Sequence, residues 1–339
     1  MKRPLVLALA AAALIAAAGA SWLAVRWVTD VPGQSCRARL PPATPDETTL
    51  AERLAGHVRF LAAQERNVSR NPSHLDEAAR YIERTLAQMG YEVESQAYAV
   101  DGHTVRNLGI ALAPTPGRDG APTLVVGAHY DSYPGSPGAN DNGTGTAALI
   151  ELARSLADLR GRTPARLRLA FFTNEEPPYF QTPDMGSFRF ASSLAERRER
   201  VAAMYSLETL GFFSDRAGSQ RYPFPLGLAY PSQGDFVAFV SMTGSRRLMQ
   251  ESIKAFRAKT AFPSEGGAVP GFLPGIDWSD HWSFEQFDYP AIMITDTAYF
   301  RYPHYHTAQD TPDKVDFDKL ARIVGGVERM IREKVASLR

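Results

Sequence analysis

Histidine and carboxylate side chains follow directly after four short apolar segments of this 339-residue sequence. Imidazole and carboxylate groups are ligands that Zn²⁺ accepts in proteins, so four such segments that end at one place could build a metal site. The segments and the polar residues behind them are 123–128 with His129 and Asp131, 167–173 with Glu175 and Glu176, 202–207 with Glu208, and 291–295 with Asp296 and then His304 and His306.

Taken singly, each of these residues has an ordinary explanation. A loop histidine usually forms a hydrogen bond, a glutamate pair at a strand end is usually solvated, and the NDNG sequence around Asp141 is typical of a turn. Glu208 is harder to explain, because a carboxylate beside a strongly apolar strand is costly unless it is paired or bound to a metal. The conjunction of all these residues favours a metal site over several unrelated loops.

The apolar segments also predict the architecture. All four are short and nearly continuous, as expected for strands that are covered on both faces. Stretches with helical spacing separate several of them, for example 145–159 and 186–200. This alternation predicts an α/β protein with three layers, α/β/α, around a central, mostly parallel mixed sheet. In such sheets ligands bind beyond the carboxyl ends of the strands, which is where the polar residues lie.

Further elements flank these segments. Helical spacing predicts helices over 46–62 and 73–90, the second with Ser73 as its N-cap and Gly90 at its C-terminal end. Residues 91–100 alternate as in a half-buried strand, and a last helix is predicted over 317–338. The stretch from Phe212 to Gly275 is rich in Pro, Gly and aromatic residues, and the pattern assigns it no structure.

The N-terminus predicts a membrane helix. An uncharged apolar run occupies residues 5–25, and roughly 20 apolar residues are enough to cross a bilayer as a helix. Residues 1–28 are therefore interpreted as a signal-anchor helix. A cleaved signal peptide is the alternative, because the small residues from Ala18 to Ala20 offer a cleavage site. Either interpretation places the rest of the chain on the periplasmic or extracellular face of the membrane.

Composition limits the remaining possibilities. Residues 29–45 are rich in Pro and polar residues and read as a linker, and residues 46–339 read as one catalytic domain. Lys and Arg together equal Asp and Glu at 37 each, so no basic surplus points to nucleic acid. Cys36 is the only cysteine of the sequence, so no disulfide can form within the chain. Nothing in the sequence indicates an oligomeric state.

At the level of motifs, the sequence resembles the M28 zinc peptidases, the group of aminopeptidases with two co-catalytic metal ions. The motifs that carry the resemblance occur in order between about residues 125 and 318: AHYDS, GANDNGTG, NEE followed by MGSFRFA, SLETLG, SDHWSF and YHTAQDTPDKVD. The resemblance extends more weakly to about residue 50. It implies a zinc-exopeptidase fold with two Zn²⁺ per chain and a peptide or small amide as substrate.

The resemblance also implies a role for each site residue. Asp141 would bridge two zinc ions, with Glu176 and His306 completing one site and His129 and Glu208 the other. Asp131 would hold the His129 ring by a hydrogen bond. Glu175 would be the general base that takes a proton from metal-bound water.

The sequence departs from the family pattern at two places. Many relatives have Asp where this chain has Glu208. Residues 177–188 replace a shorter Gly-rich turn, and this loop is expected to overhang the site and to limit substrate size. Candidates for contacts with substrate or oxyanion are Tyr299, Tyr302 and His304, while Asp280 and His281 are expected near the site without a direct catalytic role.

Three functions remain open at this stage. The first is a metal-dependent exopeptidase, for which an aminopeptidase is the favoured form. The second is a glutaminyl cyclase-like acyltransferase, which keeps a similar sheet and the glutamate pair but uses a single zinc. The third is a non-catalytic binding member of the fold, which typically lacks metal ligands that this chain retains.

Overall fold

Eight strands form one mixed sheet at the centre of the computed structural model, which describes residues 2–118 and 120–338. The strands are β1 Glu94–Val100, β2 His103–Leu112, β3 Thr123–His129, β4 Arg166–Phe172, β5 Val201–Glu208, β6 Val237–Met242, β7 Ser264–Val269 and β8 Ala291–Thr295. The α-helices are α1 Lys2–Thr29, α2 Pro45–Leu61, α3 Pro72–Gln88, α4 Gly145–Ser155, α5 Gly186–Glu196, α6 Arg246–Lys259, α7 His281–Glu285, α8 Ala298–Arg301 and α9 Phe317–Ser337.

The strand order is β1-β2-β4-β3-β5-β8-β6-β7. The four central strands β4, β3, β5 and β8 are parallel, and they are the four apolar segments of the sequence. At one edge, β2 is antiparallel to β4, and β1 is antiparallel to β2. At the other, β6 is antiparallel to β8 and carries β7 parallel to itself. The prediction of an α/β fold around a mostly parallel mixed sheet is confirmed.

Alternation along the strands separates two apolar cores. Leu124 and Val126 of β3 belong to the larger core, whereas Val125 between them belongs to the smaller one. This separation follows from the opposite directions of successive side chains on a strand. Helices α2, α3, α4, α6 and α9 contribute to the larger core, and α5 and α7 to the smaller one. The sheet is therefore covered on both faces, as its continuous apolar strands predict.

Capping residues account for the ends of α2 and α3, the two helices that precede the first strand in the chain. Thr44 and Glu47 form a reciprocal capping box at the start of α2, with Pro45 in its first turn. The prediction that Ser73 caps α3 is wrong, because the helix begins at Pro72 behind Asn71. Proline suits the first helical position, where its missing N–H would have no partner in the helix. Gly90 follows the end of α3 with a φ of +80°, as predicted for a helix stop.

The stretch that the sequence pattern left unassigned completes the sheet. Strands β6 and β7, with α6 between them, occupy residues 237–269 and form one edge of the sheet. Glycines at 266 and 267 weaken the strand signal of β7, although both are buried. A Cβ at Gly266 would lie 2.9 Å from the Ile253 side chain of α6. The glycine therefore allows the close approach of α6 to the sheet.

Helix α1 projects from the rest of the protein. Nearly all of its described side chains are exposed, and Val28 at its C-terminal end is the one that joins the buried core. Among the described residues, one helix is long and apolar enough to cross a membrane, with Ala12–Thr29 as its apolar window. A signal sequence would meet the same criterion. The division into residues 1–28, 29–45 and 46–339 stays a prediction.

Candidate metal centre

The carboxyl ends of the central parallel strands bring the predicted residues together. His129 is the last residue of β3 and Glu208 the last residue of β5. Glu175 and Glu176 lie just beyond the end of β4, and His306 lies on the segment that follows β8. Neighbouring parallel strands end at the same edge of a sheet, so these side chains from distant parts of the sequence meet there.

Asp141 lies between the two imidazole rings. His129 Nε2 is 3.5 Å from Asp141 Oδ1 and 3.2 Å from Glu208 Oε2. His306 Nε2 is 3.1 Å from Asp141 Oδ2 and 3.2 Å from Glu176 Oε2. Each oxygen of the Asp141 carboxylate thus faces one histidine, and each histidine has a second carboxylate of its own.

The cluster fits bound cations on the chemistry of its donor atoms. The carboxylates and His129 are buried. Buried donor and acceptor atoms normally have hydrogen-bond partners, and an unpartnered one is costly. Among the described residues, the buried side-chain atoms of this cluster without such a partner are His129 Nδ1 and Nε2, Asp141 Oδ2, Glu176 Oε1 and His306 Nε2. Donor atoms lie within 4.8 Å of one another in two groups, His129 with Glu175 and Glu208, and His129 with Asp141 and Glu176. Imidazole nitrogens and carboxylate oxygens are the ligand types that Zn²⁺ accepts.

The pKa values of the two histidines show that the carboxylates of the cluster stabilise positive charge. Burial lowers the pKa of the His306 ring, but the carboxylates of Glu176 and Asp141 outweigh burial and raise it to about 11. For His129, burial is likewise outweighed by Glu208 and Glu175, and its pKa is raised well above the usual value. Burial raises the pKa of Glu176 to about 8. Without metal, the site therefore holds protons at neutral pH that bound cations would displace.

Asp131 joins the His129 ring to the glutamate pair. Its Oδ1 accepts a hydrogen bond from the backbone N–H of Glu175 at 3.2 Å, and its Oδ2 accepts one from the N–H of Glu176 at 3.1 Å. The same Oδ1 lies 3.4 Å from His129 Nδ1. Asp131 thus fixes the backbone of the glutamate pair and faces the ring nitrogen that points away from Asp141.

Adjacent glutamates point to different parts of the cluster. Glu176 lies on the His306 side, whereas Glu175 Oε2 is 3.8 Å from His129 Nε2 on the other side. Burial raises the pKa of Glu175 well above the usual value, and the neighbouring carboxylates of Glu176 and Glu208 add to this effect. A carboxyl group with a raised pKa is suited to accept and release a proton near neutral pH.

A tight loop before α4 presents Asp141. Residues Ala139–Thr144 form an irregular turn that begins after Gly138, whose φ is +66°, and the backbone at Asp141 and Asn142 is not helical. A Cβ at Gly138 would lie 2.5 Å from the carbonyl oxygen of Asp141, so no larger residue fits without displacing the loop. The backbone N–H groups of Asn140 and Asp141 donate to the two oxygens of Asp310 at 2.8 and 3.0 Å.

Sequence reasoning missed the residues that hold this loop. Asp310 lies within the YHTAQDTPDKVD motif but was given no role of its own. Asp296, predicted only as a polar residue behind β8, accepts a hydrogen bond from the Asn140 side chain at 2.9 Å. Arg66 is fully buried and donates to the carbonyl oxygens of Tyr130, Pro137 and Gly138. No periodicity or local motif marks an arginine as a clamp for a loop that follows more than 60 positions later.

Two tyrosines enclose the His306 ring. Tyr133 stacks on it with ring centroids 4.0 Å apart, and Tyr305 stacks on it with centroids 3.8 Å apart. Burial raises the pKa of Tyr305 well above the usual value, and the carboxylates of the cluster raise it further. The Tyr305 hydroxyl therefore keeps its proton and is a hydrogen-bond donor beside the cluster. The sequence analysis assigned no role to either tyrosine.

The other residues that the sequence predicts near the site differ in their burial and in their hydrogen-bond partners. The Tyr302 hydroxyl donates to Asp310 Oδ1 at 2.9 Å, so it supports the Asp141 loop, while Tyr299 is 52% exposed. His304 is half-buried, and its ring packs edge-on against that of Tyr302. His281 Nε2 contacts the Ile276 carbonyl oxygen at 2.8 Å, and burial lowers its pKa to about 4. Asp280 is fully buried close to His129, and burial raises its pKa to about 7.

An open apolar cavity of about 830 Å³ adjoins the cluster at Glu208 and Tyr305. Its walls come from residues 220–230, from β6 and β7, and from the segments around Ile276 and Tyr299. The loop after the glutamate pair was expected to overhang the site, but residues 177–185 do not line this cavity. Instead, Tyr179 and Gln181 of the loop bind Asp101 and Asp277. Much of the cavity wall is therefore formed by the stretch that the sequence pattern left unassigned, and most of the rest comes from segments between Ile276 and Tyr305.

The sheet and the buried cluster of imidazoles and carboxylates at its carboxyl edge define an α/β protein with a candidate metal centre at the usual ligand position of such sheets. The sequence model of Peptidase family M28 matches residues 111–330, about two thirds of the chain. The chain belongs to this family, as its motifs predict.

Two curated relatives differ in how much of their length is matched. The uncharacterized protein YfbL of Escherichia coli is 36% identical over 296 residues, which cover 84% of this chain and 88% of that protein. The aminopeptidase YwaD of Bacillus subtilis is 27% identical over 221 residues, 62% of this chain and 41% of its own length.

Solved structures share the fold at low identity. An aminopeptidase from Aneurinibacillus sp. strain AM-1 superposes with a TM-score of 0.65 at 18% identity, covering 87% of this chain and 97% of its own. A glutaminyl cyclase from Fimbriiglobus ruber gives 0.60 at 18% identity, covering 86% and 99%. The fold is therefore common to both enzyme types and does not choose between them.

Proposed function

We propose that this protein is a zinc aminopeptidase that hydrolyses the first peptide bond of its substrates with two metal ions. The observation that carries the proposal is the Asp141 carboxylate, whose two oxygens each face a different histidine–carboxylate pair. Such a divided carboxylate is the arrangement needed to bridge two cations. The family, and the names of YwaD and of the Aneurinibacillus enzyme, support peptidase and aminopeptidase activity.

Each proposed metal position has its own ligands. Asp141 Oδ2, Glu176 and His306 would hold one zinc ion, and Asp141 Oδ1, His129 and Glu208 would hold the other. When bound, the two ions would polarise the scissile carbonyl and lower the pKa of a shared water. Asp131 fixes the backbone of the glutamate pair and lies 3.4 Å from His129 Nδ1, where it would orient the ring for metal binding.

Glu175 is the proposed general base. Its Oε2 lies 3.8 Å from His129 Nε2, but Glu175 belongs to neither of the two ligand sets proposed above. In the proposed reaction it accepts the proton of the attacking water and delivers it to the leaving amine. Tyr305 lines the cavity beside the cluster and keeps its hydroxyl proton, so it is the proposed donor to the oxygen on which negative charge develops.

The cavity supports an apolar side chain at the substrate's first residue. Aromatic and aliphatic groups such as Tyr222, Leu226 and Ile276 line it, and its end at Glu208 meets the proposed metal site. A substrate side chain in the cavity would place the adjacent peptide carbonyl at the cluster.

A glutaminyl cyclase-like reaction is the second candidate function. It is supported by the fold that this chain shares with a glutaminyl cyclase. A single zinc bound by Asp141, Glu176 and His306 would leave His129 Nε2 and Glu208 as a buried pair without a cation. The second pair therefore favours two metals and the peptidase. A non-catalytic binding role fits less well, because every proposed ligand and Glu175 are present and gathered at one place.

The test combines metal content with turnover. The purified protein, loaded with zinc and freed of excess metal, is expected to retain two zinc ions per chain by mass spectrometry. It is expected to hydrolyse aminoacyl-nitroanilides with apolar side chains and not to cyclise peptides with N-terminal glutamine. One zinc per chain together with cyclisation would replace the first proposal by the second. Two zinc ions without any turnover would favour the binding role.

We further propose that α1 anchors the protein, with the remainder on the periplasmic or extracellular side. The apolar window Ala12–Thr29 and its exposure support an anchor. Protease treatment of intact cells or spheroplasts is expected to digest the catalytic domain while the membrane stays closed. Protection from protease until lysis would place the domain in the cytoplasm instead.

A further inference from the structure

Two loops of the protein carry large apolar side chains that point into solvent. Phe224 and Leu228 are 84% and 81% exposed, and Phe272 is 85% exposed. Single exposed apolar residues are common on protein surfaces and need no explanation. Phe224, Leu228 and Phe272 differ from such residues because their neighbours in the sequence pack against the end of α1.

The two loops meet at the C-terminal end of α1. Leu226, which lies between Phe224 and Leu228, is buried in one small apolar cluster with Val28 of α1. Leu273, the neighbour of Phe272, packs against the same cluster. The exposed side chains therefore lie within two residues of side chains that pack at the end of α1.

Helix α1 carries the features of a membrane span at this point. Its window Ala12–Thr29 is only 6% buried. Trp22 and Trp27 are exposed near the C-terminal end of the helix, and tryptophan is enriched where membrane helices cross the lipid–water interface. The level of Trp27 and Val28 therefore corresponds to the surface of the bilayer that α1 would cross.

The segment after α1 is not a free tether. Arg246 of α6 donates to Asp30 Oδ2 at 2.8 Å, and its guanidinium lies 4.8 Å from the centre of the Trp27 ring. Arg257 donates to the carbonyl oxygens of Pro32 and Gly33, both at 3.0 Å. These contacts start within one residue of the helix, so the folded body cannot swing freely away from the end of α1.

We propose that Phe224, Leu228 and Phe272 form a lipid-contacting rim that inserts into the surface of the bilayer crossed by α1. The fixed junction holds the rim at the level of the interface, where exposed aromatic and aliphatic side chains are stabilised by removal from water. The occupant of this surface is thus the lipid of the same membrane, and the proposal rests on the anchoring by α1, not on the peptidase activity.

The rim would set the orientation of the active site. Its two loops also supply walls of the apolar cavity, through Tyr222 and Leu226 of one loop and Gly275 and Ile276 beside the other. Insertion of the rim therefore brings one wall of the cavity to the lipid surface.

A depth measurement in bilayers tests the rim. In the full chain with Cys36→Ser, single cysteines at Leu228→Cys and Phe272→Cys carry an environment-sensitive NBD fluorophore. The protein is placed in nanodiscs of phosphatidylcholine and phosphatidylglycerol, with and without doxyl-labelled lipid. Leu14→Cys on α1 is the positive control, and Thr48→Cys, on an exposed face of α2, is the matched negative control. Thermal unfolding verifies that each labelled variant is folded.

The expected result is blue-shifted emission and quenching by doxyl lipid at positions 14, 228 and 272, and neither at position 48. Quenching at 14 without quenching at 228 and 272 would overturn the rim while leaving the anchor intact. A blue shift at 228 and 272 without quenching would assign the surface to a protein partner or a second copy, which also overturns the proposal. Absence of quenching at position 14 would remove both anchor and rim.

Discussion

At the scale of single residues, the adjacent glutamates show how one short motif can present two carboxylates to different sides of a site. Glu176 faces His306 and Asp141, while Glu175 faces the opposite side of the cluster near His129. The backbone of both is fixed by the same acceptor, the carboxylate of Asp131. Two side chains that leave a fixed backbone in different directions can thus bind a metal and handle a proton at the same site.

Replacing Glu175 by Gln is expected to lower kcat by about 10²–10⁴-fold, because the amide cannot accept the proton of the attacking water. Metal content should stay at the level of the unchanged protein. Steady-state hydrolysis of an aminoacyl-nitroanilide and metal analysis on the same sample check both points. The matched control is Glu176→Gln, which is expected to lose zinc as well as activity. Full hydrolysis by the Glu175→Gln variant would show that another group is the base.

Tyr305→Phe separates the two contributions of that tyrosine. The ring still stacks on His306, but the donor hydroxyl is absent, so kcat is expected to fall by about 10²–10³-fold with little change in KM. Tyr133→Phe, which stacks on the other face of the same ring, is the control and should retain its activity. An equal and small effect of both changes would limit Tyr305 to a stacking role.

At the scale of elements, the metal site depends on a loop that other segments hold. The turn Ala139–Thr144 contacts Asp310 through two backbone amides, and Asp296 holds the Asn140 side chain. Arg66, from the segment after α2, holds the preceding residues of the loop through their carbonyl oxygens. The position of Asp141 is therefore decided by contacts that come from both ends of the chain.

Asp310→Ala is expected to weaken metal binding although Asp310 is not a proposed ligand and contacts Asp141 only through its backbone amide. The change leaves two buried backbone N–H groups without an acceptor, each of which costs about 1–3 kcal/mol. A lower midpoint of thermal unfolding and faster loss of zinc to a chelator are the measurements. Asp313→Asn, an exposed change in the same segment, is the control. Unchanged zinc loss in the Asp310→Ala variant would mean that Asp141 keeps its position without this support.

At the scale of the whole molecule, protons and metal compete for the same buried cluster. The pKa of His306 is raised to about 11 by Glu176 and Asp141 against the effect of burial, and burial raises that of Glu176 to about 8. The His306–Glu176 pair therefore retains a proton in the metal-free protein at pH 7, and zinc must displace it. Metal affinity is therefore expected to rise with pH and to fall as the pH drops from 8 towards 5.

Calorimetry of zinc binding in buffers with different ionisation enthalpies measures the released protons directly. Net proton release at pH 7 is the expected outcome, and zinc binding without release would contradict the assignment of the cluster. Removing the metal should also lower thermal stability, because a ligand at about 100 times its Kd stabilises the folded state by about 2.7 kcal/mol. Restoring the unfolding midpoint with zinc, but not with Mg²⁺, is the control.

Much of this protein could be predicted from its sequence because the signals are local. The four central strands are nearly continuous apolar runs in the sequence, because a parallel strand that is buried on both faces has apolar side chains on both. The residues gathered in the cluster stand at strand ends, and family motifs single out His129, Asp141, Glu176, Glu208 and His306 in order. Strand ends and motif spacing are properties of short stretches, so they survive in the sequence alone.

Other features were decided only by tertiary structure. The pairing of Asn140 and Asp141 with Asp310 joins residues about 170 positions apart, and no short stretch records such a contact. The same holds for Tyr133 and Tyr305, which are ordinary loop aromatics in the sequence and enclose His306 in the fold. The glycine-containing edge strand β7 becomes a strand because β6 pairs with it and α6 covers it. The sequence alone therefore determined the central strands and the set of residues at their carboxyl ends. Packing between distant segments decided the edge strands β6 and β7, how that set is held, what lines the cavity and where α1 meets the body.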